Sequence, residues 1–169
     1  MRMNKQERPH EQKHYRTFED LEVYQIAREF RKVMYGVNRR LPAFEKFELG
    51  SQIRRAAVSL TNNIAEGHGR FHYLEQIKFC LNARGSLEEL VDDLNVCHDE
   101  LYLPATEIAS LKEQGWRVHK VLNGYMRWLR DQRQRTDAKV NEESSVYGWP
   151  DDDLSELLAD AVEAPASTL

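Results

Sequence analysis

The sequence predicts an all-α protein, an antiparallel up-down-up-down four-helix bundle. Apolar residues recur at steps of three and four along four long segments, which is the period of an amphipathic helix. Proline follows the first and third segments and glycine follows the second, so each of these stretches has a natural end. No segment keeps the two-residue alternation of a strand between turn signals. Long helices joined by short loops are typical of antiparallel bundles.

The first two helices have recognisable boundaries. Thr17 followed by Asp20 is a variant of the capping box, and it precedes a predicted helix over 18–40. Pro42 stops this helix because proline cannot continue the backbone hydrogen bonds. The second helix is predicted over 46–67, where a glycine provides a C-terminal cap.

The third and fourth helices are longer. Apolar periodicity predicts them over about 72–101 and 105–135, with Pro104 between them. Gly85 lies inside the third and costs about 1 kcal/mol relative to alanine. We expect close approach of another backbone there, a tight helix crossing; the alternative is a local kink.

The charge is divided along the chain. The net charge is -4, but residues 1–135 hold 23 basic and 19 acidic residues, a net +4, whereas 136–169 hold one lysine against nine acids, a net -8. Residues 1–16 are polar and without periodicity, which predicts a flexible basic arm. The bundle is therefore expected over 17–135, followed by an acidic, disordered tail with a possible short helix.

Several classes of protein are disfavoured. No apolar run approaches the roughly 18 residues that span a bilayer, and the N-terminus lacks an apolar signal region, so a cytoplasmic protein is expected. Cys80 and Cys97 fall on one predicted helix, too far apart for a disulfide, and read as buried apolar residues. The histidine pairs at four-residue spacing lie in the arm or across a glycine turn, so neither a metal site nor a cofactor is expected.

The second helix carries a polar stripe beside its apolar one. An ordinary surface helix would fill that face with lysine and glutamate. The stripe faces a matching polar stripe on the third helix, and together they predict a polar network that holds the bundle or an assembly in register; a ligand-binding groove is the alternative. The residues are Gln52, Asn63, Glu66, Ser86 and Glu89.

Arginines near the helix ends are candidates for binding nucleic acid. The guanidinium group matches phosphate oxygens in geometry and charge. The alternative is a solvated helix face on which arginines pair with glutamates. The candidates are Arg54, Arg55, Arg70, Arg127 and Arg130.

The acidic tail mixes aromatic and aliphatic residues with its carboxylates. This composition suits a segment that folds on a protein partner, and equally a segment that only keeps the protein in solution. The docking candidates are Trp149, Leu154, Leu157 and Leu158.

Three stretches carry a family resemblance: FEDLEVYQIA from Phe18, LGSQIRRAAVSLTNNIAEGHGR from Leu49, and FCLNARGSLEEL from Phe79. They resemble the bacterial four-helix-bundle proteins of the 23S rRNA intervening-sequence group, over roughly residues 18–130. The resemblance implies a homopentameric ring, a link to RNA or other nucleic acid, and no enzymatic activity. The accessory subunit of diversity-generating retroelements, which binds a reverse transcriptase and nucleic acid, is similar more distantly.

The expected function is therefore a non-enzymatic, homo-oligomeric scaffold. Its basic patches would bind RNA, DNA or a nucleic-acid enzyme. The alternative is a protein–protein adaptor that docks a partner through the acidic-hydrophobic tail. No serine-hydrolase, P-loop or zinc-protease motif is present in the sequence.

Overall fold

The computed structural model describes the backbone of residues 17–147 and the side chains of residues 17–140. All regular structure in this part of the chain is helical, which confirms the all-α prediction. Short 3-10 turns precede the first two helices. The helices are α1 (Glu22–Arg40), α2 (Leu49–His68), α3 (Tyr73–Asp99) and α4 (Ala105–Tyr147), and the 3-10 turns are Phe18–Asp20 and Ala43–Lys46.

The predicted capping box is present, but it caps the first 3-10 turn. The Thr17 hydroxyl accepts from the Glu19 N–H at 3.2 Å, and the Asp20 carboxylate accepts from the Thr17 N–H at 2.8 Å. Helix α1 begins only after this turn, at Glu22.

The second 3-10 turn replaces the start predicted for α2. Its Glu45 carboxylate accepts from the Leu49 N–H at 3.2 Å, one of the N–H groups that a helix start leaves without a partner. The same carboxylate accepts from the Tyr102 hydroxyl at 2.7 Å. Glu45 therefore joins the α1–α2 connection to the α3–α4 connection.

The apolar stripes of all four helices meet in one core. Side-chain contacts show how neighbouring helices run: on α1 and α2, Arg31 bonds Thr61 at 2.8 Å whereas Asn38 accepts from Arg54 at 3.1 Å. Residue numbers rise on one helix as they fall on the other, so this pair is antiparallel. The fully buried large side chains include Met34, Ile53, Leu60, Ile64, Leu87, Leu90, Leu94, Leu122 and Leu129.

Both cysteines are buried on α3, as predicted. Cys80 and Cys97 are 1% and 0% exposed and are not bonded to each other. Burial raises the pKa of each thiol to about 11, so both are protonated apolar residues at neutral pH.

The tight helix crossing predicted at Gly85 is wrong. A Cβ built on Gly85 meets no atom within 4 Å, and the residue is exposed on α3. The helical glycine that neighbouring helices approach closely is instead Gly115 on α4. A Cβ there would lie 3.4 Å from Phe30 and 3.5 Å from Val91, because α1 and α3 both pack against this turn.

Helix α4 continues to Tyr147, beyond the end predicted at residue 135. Arg133 and Asp137 lie 3.4 Å apart as an i,i+4 ion pair, and the Thr136 hydroxyl donates to the Gln132 carbonyl at 3.0 Å. These local interactions support the helix over 131–140, where no side chain is buried. The chain divides into two units within this helix, one ending at Arg130 and the next beginning at Asp131.

Helix α3 ends in a Schellman motif that has leucine at the position where glycine is usual. The Tyr102 N–H donates to the Cys97 carbonyl at 2.9 Å, and the Leu101 N–H donates to the His98 carbonyl at 3.1 Å. Leu101 has φ 57°, a left-handed conformation that costs a non-glycine residue about 1–2 kcal/mol. Its side chain is 85% exposed, so burial does not offset this cost.

Leu101→Gly should therefore stabilise the protein. We expect the free energy of unfolding, measured by chemical denaturation, to rise by about 1 kcal/mol because the left-handed strain is removed. Leu81→Gly, at a half-exposed position inside α3, is the matched control and should lower the free energy of unfolding by about 1 kcal/mol or more. A loss of stability in Leu101→Gly would show that its side chain makes a contact worth more than the strain.

Candidate nucleic-acid interface

The polar stripe of α2 meets α3 at one hydrogen-bonded point. The Ser86 hydroxyl donates to the Ser59 hydroxyl at 2.8 Å, and the Asn63 amide donates to the Ser59 carbonyl at 2.9 Å. Ser86 is buried, so this bond satisfies a polar group inside the α2–α3 contact. Of the predicted network residues, Asn63 and Ser86 join through Ser59, whereas Gln52 and Glu89 are exposed.

Arg54 forms hydrogen bonds with two other elements of the fold. Its guanidinium donates to the Asn38 side-chain oxygen at 3.1 Å and to the Lys46 carbonyl at 3.2 Å. It thereby links the end of α1, the 3-10 turn and the start of α2. These two bonds fix the guanidinium within the fold and use two of its five N–H donors.

Arg70 is also engaged within the protein. It forms an ion pair with Glu66 one turn earlier, and its guanidinium carbon lies 4.8 Å from the centre of the Phe79 ring. Glu66, predicted as a network residue, thus pairs at the end of α2.

Arg55 faces an unusual carboxyl group. Asp93 on α3 is 7% exposed, and its Oδ2 has no hydrogen-bond partner in the described part of the chain. The pKa of Asp93 is raised to about 6, chiefly by burial and further by the charges of Asp92 and Glu89, while the nearby Arg55 opposes the rise. Arg55 itself is exposed and forms no ion pair among the described residues.

The middle of α4 carries a different surface, which we call the α4 face. Residues 114–130 contain four basic residues and no acidic one. None of the four forms an ion pair in the described part of the chain. The α4 face consists of Arg117, Lys120, Arg127 and Arg130, all exposed, with Trp116 and Trp128.

Both tryptophans of the α4 face are half exposed, at 48% for Trp116 and 51% for Trp128. Trp128 stacks on Tyr125, with ring centres 5.9 Å apart and planes at 13°. Trp116 meets His119 edge to face at 5.7 Å. Cations interleaved with exposed aromatic rings can bind phosphates and stack bases.

A model of one protein family, described as 23S rRNA-intervening sequence protein, matches residues 19–124. This is more than half of the chain. The chain belongs to this family. It matches no curated protein.

The family match ends inside α4, at Gly124. It includes Arg117, Lys120 and Trp116, whereas Trp128 and its stacking partner lie beyond it. The second half of the α4 face therefore lies outside the matched part of the chain.

The sequence indicated only part of this surface. Arg127 and Arg130 were expected to bind nucleic acid, but Arg117, Lys120 and the two tryptophans were missed. The acid-free run over 114–130 was the signal that could have found them.

Two general findings complete the description. Among the described residues, no helix is both long and apolar enough to cross a membrane, and no group of three or more metal-ligating side chains comes together. The docking candidates Trp149, Leu154, Leu157 and Leu158 lie outside the described residues, as does the arm at 1–16.

Asp93 makes stability dependent on pH. In the folded protein the Asp93 carboxyl keeps its proton up to about pH 6, whereas in the unfolded chain the same group releases it near pH 3.8. The free energy of unfolding therefore falls as the pH rises from 3.8 to about 6. We expect Asp93→Asn to remove this dependence and to be more stable than the parent above this pH range, by roughly 1–3 kcal/mol. Denaturant titrations at acid and mildly alkaline pH measure the effect.

Asp131→Asn is the matched control, since Asp131 is an exposed helical residue of the same type and is not among the groups that shift the pKa of Asp93. It should change the slope with pH little. Equal slopes for the parent and Asp93→Asn would show that Asp93 is ionised normally in the folded protein.

Proposed function

We propose that this protein is a non-enzymatic, homo-oligomeric scaffold that binds RNA through the α4 face. The observation that carries the proposal is a helix surface with four cations unpaired among the described residues, two half-exposed tryptophans and no carboxylate over residues 114–130. The family's description, which names an intervening sequence of 23S rRNA, favours RNA over DNA.

The distribution of ion pairs supports this choice of surface. Arg40 on α1 binds the Glu107 carboxylate at 2.8 Å, and Arg54 and Arg70 are held by partners within the fold. A phosphate at those positions would compete with an existing interaction. The cations of the α4 face are free of such interactions within the described residues, so they are the better phosphate ligands.

The proposed scaffold is an up-down-up-down bundle that assembles with copies of itself in the cytoplasm. A pentamer is the assembly that the family resemblance implies. Each copy would present one α4 face, so the assembly would offer several basic surfaces to one RNA. Repetition raises the effective concentration of sites, and with it the overall affinity.

Salt-dependent RNA binding tests the function. We expect a labelled oligoribonucleotide to bind with an affinity that falls as salt rises, because bound phosphates release counterions. Arg127→Gln with Arg130→Gln should flatten the plot of log affinity against log salt by about 0.7 for each phosphate that the variant no longer binds. Fluorescence anisotropy over a salt series measures the slope.

Arg39→Gln with Lys78→Gln is the matched control. It removes the same charge from exposed positions on α1 and α3. Its slope should equal that of the parent. If both double variants bind more weakly to the same extent, binding depends on net charge and not on the α4 face; if the parent binds no RNA, the proposal fails.

The oligomeric state is tested separately. One chain has a mass of 19.9 kDa, so a pentamer should appear at about 100 kDa by mass photometry or sedimentation. A single species at the monomer mass over the concentrations used for RNA binding would reject the homo-oligomer.

A further inference from the structure

A groove lies where the start of α1 passes the middle of α4. Its volume is about 550 Å³. Apolar and aromatic side chains form its wall, and two cations of the α4 face stand at its rim with a single carboxylate, that of Glu22. The groove residues used below are Leu21, Arg117, Lys120, Gly124, Tyr125 and Trp128.

Gly124 keeps this groove open. A Cβ built there meets no atom within 4 Å, and glycine inside a helix costs about 1 kcal/mol relative to alanine. Gly115, earlier on the same helix, has an internal reason, because Phe30 and Val91 pack against it. Gly124 has no neighbour within the described residues that requires glycine, which leaves the space above it for a ligand.

Trp128 supplies a fixed flat surface one turn after Gly124. Stacking on Tyr125 sets the plane of the indole, and 51% of the side chain stays exposed. From Arg117 to Trp128 the helix rises about 16 Å, which spans more than one nucleotide of an extended strand. An aromatic ring beside cations on one groove is the arrangement on which unpaired bases stack while phosphates bind the rim.

We propose that this groove binds an unpaired base of single-stranded RNA. The base stacks on Trp128 over Gly124, and the neighbouring phosphates bind Arg117 and Lys120. The proposal rests on the RNA-binding function and names its substrate class, single strands over duplexes. Bases inside an A-form duplex are already stacked and paired, so they cannot enter the groove.

Charge supports a nucleic-acid occupant. The rim carries two cations against Glu22, and neither cation is paired within the described residues. An apolar peptide would bury these cations without partners, at a cost in desolvation. A strand with phosphates next to its bases satisfies the rim and the wall together.

Filling the groove gives the sharpest test. Gly124→Gln adds a neutral side chain that favours helix, so the variant should unfold at higher temperature than the parent while binding single-stranded RNA about tenfold more weakly. Gly85→Gln is the matched control, because Gly85 is also an exposed helical glycine with no atom within 4 Å of its Cβ position. It should gain stability and leave RNA affinity unchanged.

A second set of variants tests the stacking. Trp128→Leu should weaken binding of a short mixed-sequence oligoribonucleotide about tenfold and leave binding of the same strand annealed to its complement unchanged. Phe47→Leu, at an exposed aromatic residue outside the α4 face, is the control and should leave binding of both forms unchanged. In a protein that keeps Trp128 alone, with Trp116→Phe and Trp149→Phe, single-stranded RNA should quench the tryptophan fluorescence.

The outcomes separate this inference from the function on which it rests. If Gly124→Gln binds single strands as the parent does, or if duplex and single strand bind equally, the base-binding groove is rejected. The RNA-binding function still stands if Arg127→Gln with Arg130→Gln lowers the salt slope. If the parent binds neither form of RNA, both proposals fall.

Discussion

The depth at which α2 sits in the bundle governs the rest of the structure. Both of its ends approach neighbours so closely that only glycine fits: a Cβ on Gly50 would lie 2.5 Å from Asn38 Oδ1, and one on Gly67 would lie 2.9 Å from Phe79 Cβ. Protein interiors are packed too tightly to absorb such contacts cheaply. Because both ends of α2 pack closely, Ala56 and Ala57 between them are buried. The hydroxyl oxygens of Ser59 and Ser86 then lie 2.8 Å apart. Ser59 and Asn63 of the polar stripe of α2 are thereby used inside the fold, whereas Gln52 and the cations in the middle of α4 are exposed to solvent.

Charge is distributed between the helices in a way that follows from this packing. Arg40 and Arg54 lie near the ends of α1 and α2, where side-chain and backbone oxygens are within reach; Arg54 bonds two of them. The cations over 114–130 lie on the exposed side of α4. Glu113 and Asp131 stand four residues from Arg117 and Arg127, yet neither forms an ion pair with them among the described residues, so these cations stay solvated. Arg55 and Asp93 lie between these extremes, since they are close enough to influence each other but form no hydrogen bond. Whether an arginine stabilises the fold or is available to a ligand therefore depends on which acceptors lie within its reach; Arg31, in the middle of α1, donates to Thr61.

The sequence predicted what depends on apolar periodicity and missed what does not. The four helices and most core positions follow from the spacing of residues such as Phe30, Leu60, Leu90 and Leu122, which are all buried. Periodicity reports a buried face and not helicity itself, so it could not reveal that α4 continues to Tyr147 on local interactions. Nor could it distinguish Gly85 from Gly115, because whether a helical glycine is packed or open depends on which helix lies opposite. For the same reason Arg54 and Arg55 looked equivalent as adjacent letters, although one is bound within the fold and the other is exposed.

The low RNA affinity expected of a single copy connects the single-strand groove to the proposed assembly. One α4 face offers four cations and one stacking ring, and a stacked base contributes about 1–3 kcal/mol. Few phosphate contacts on a short surface release few counterions, so one copy would bind RNA weakly at physiological ionic strength. Copies joined in one assembly turn the second contact into an intramolecular step, and the gain is largest when the strand between two sites matches their separation. A flexible single strand can adjust its span between copies, whereas a duplex is stiff over the size of such an assembly. The proposed groove at Gly124 and the proposed homo-oligomer therefore favour the same ligand, because weak sites repeated in one assembly bind a flexible strand better than a rigid one.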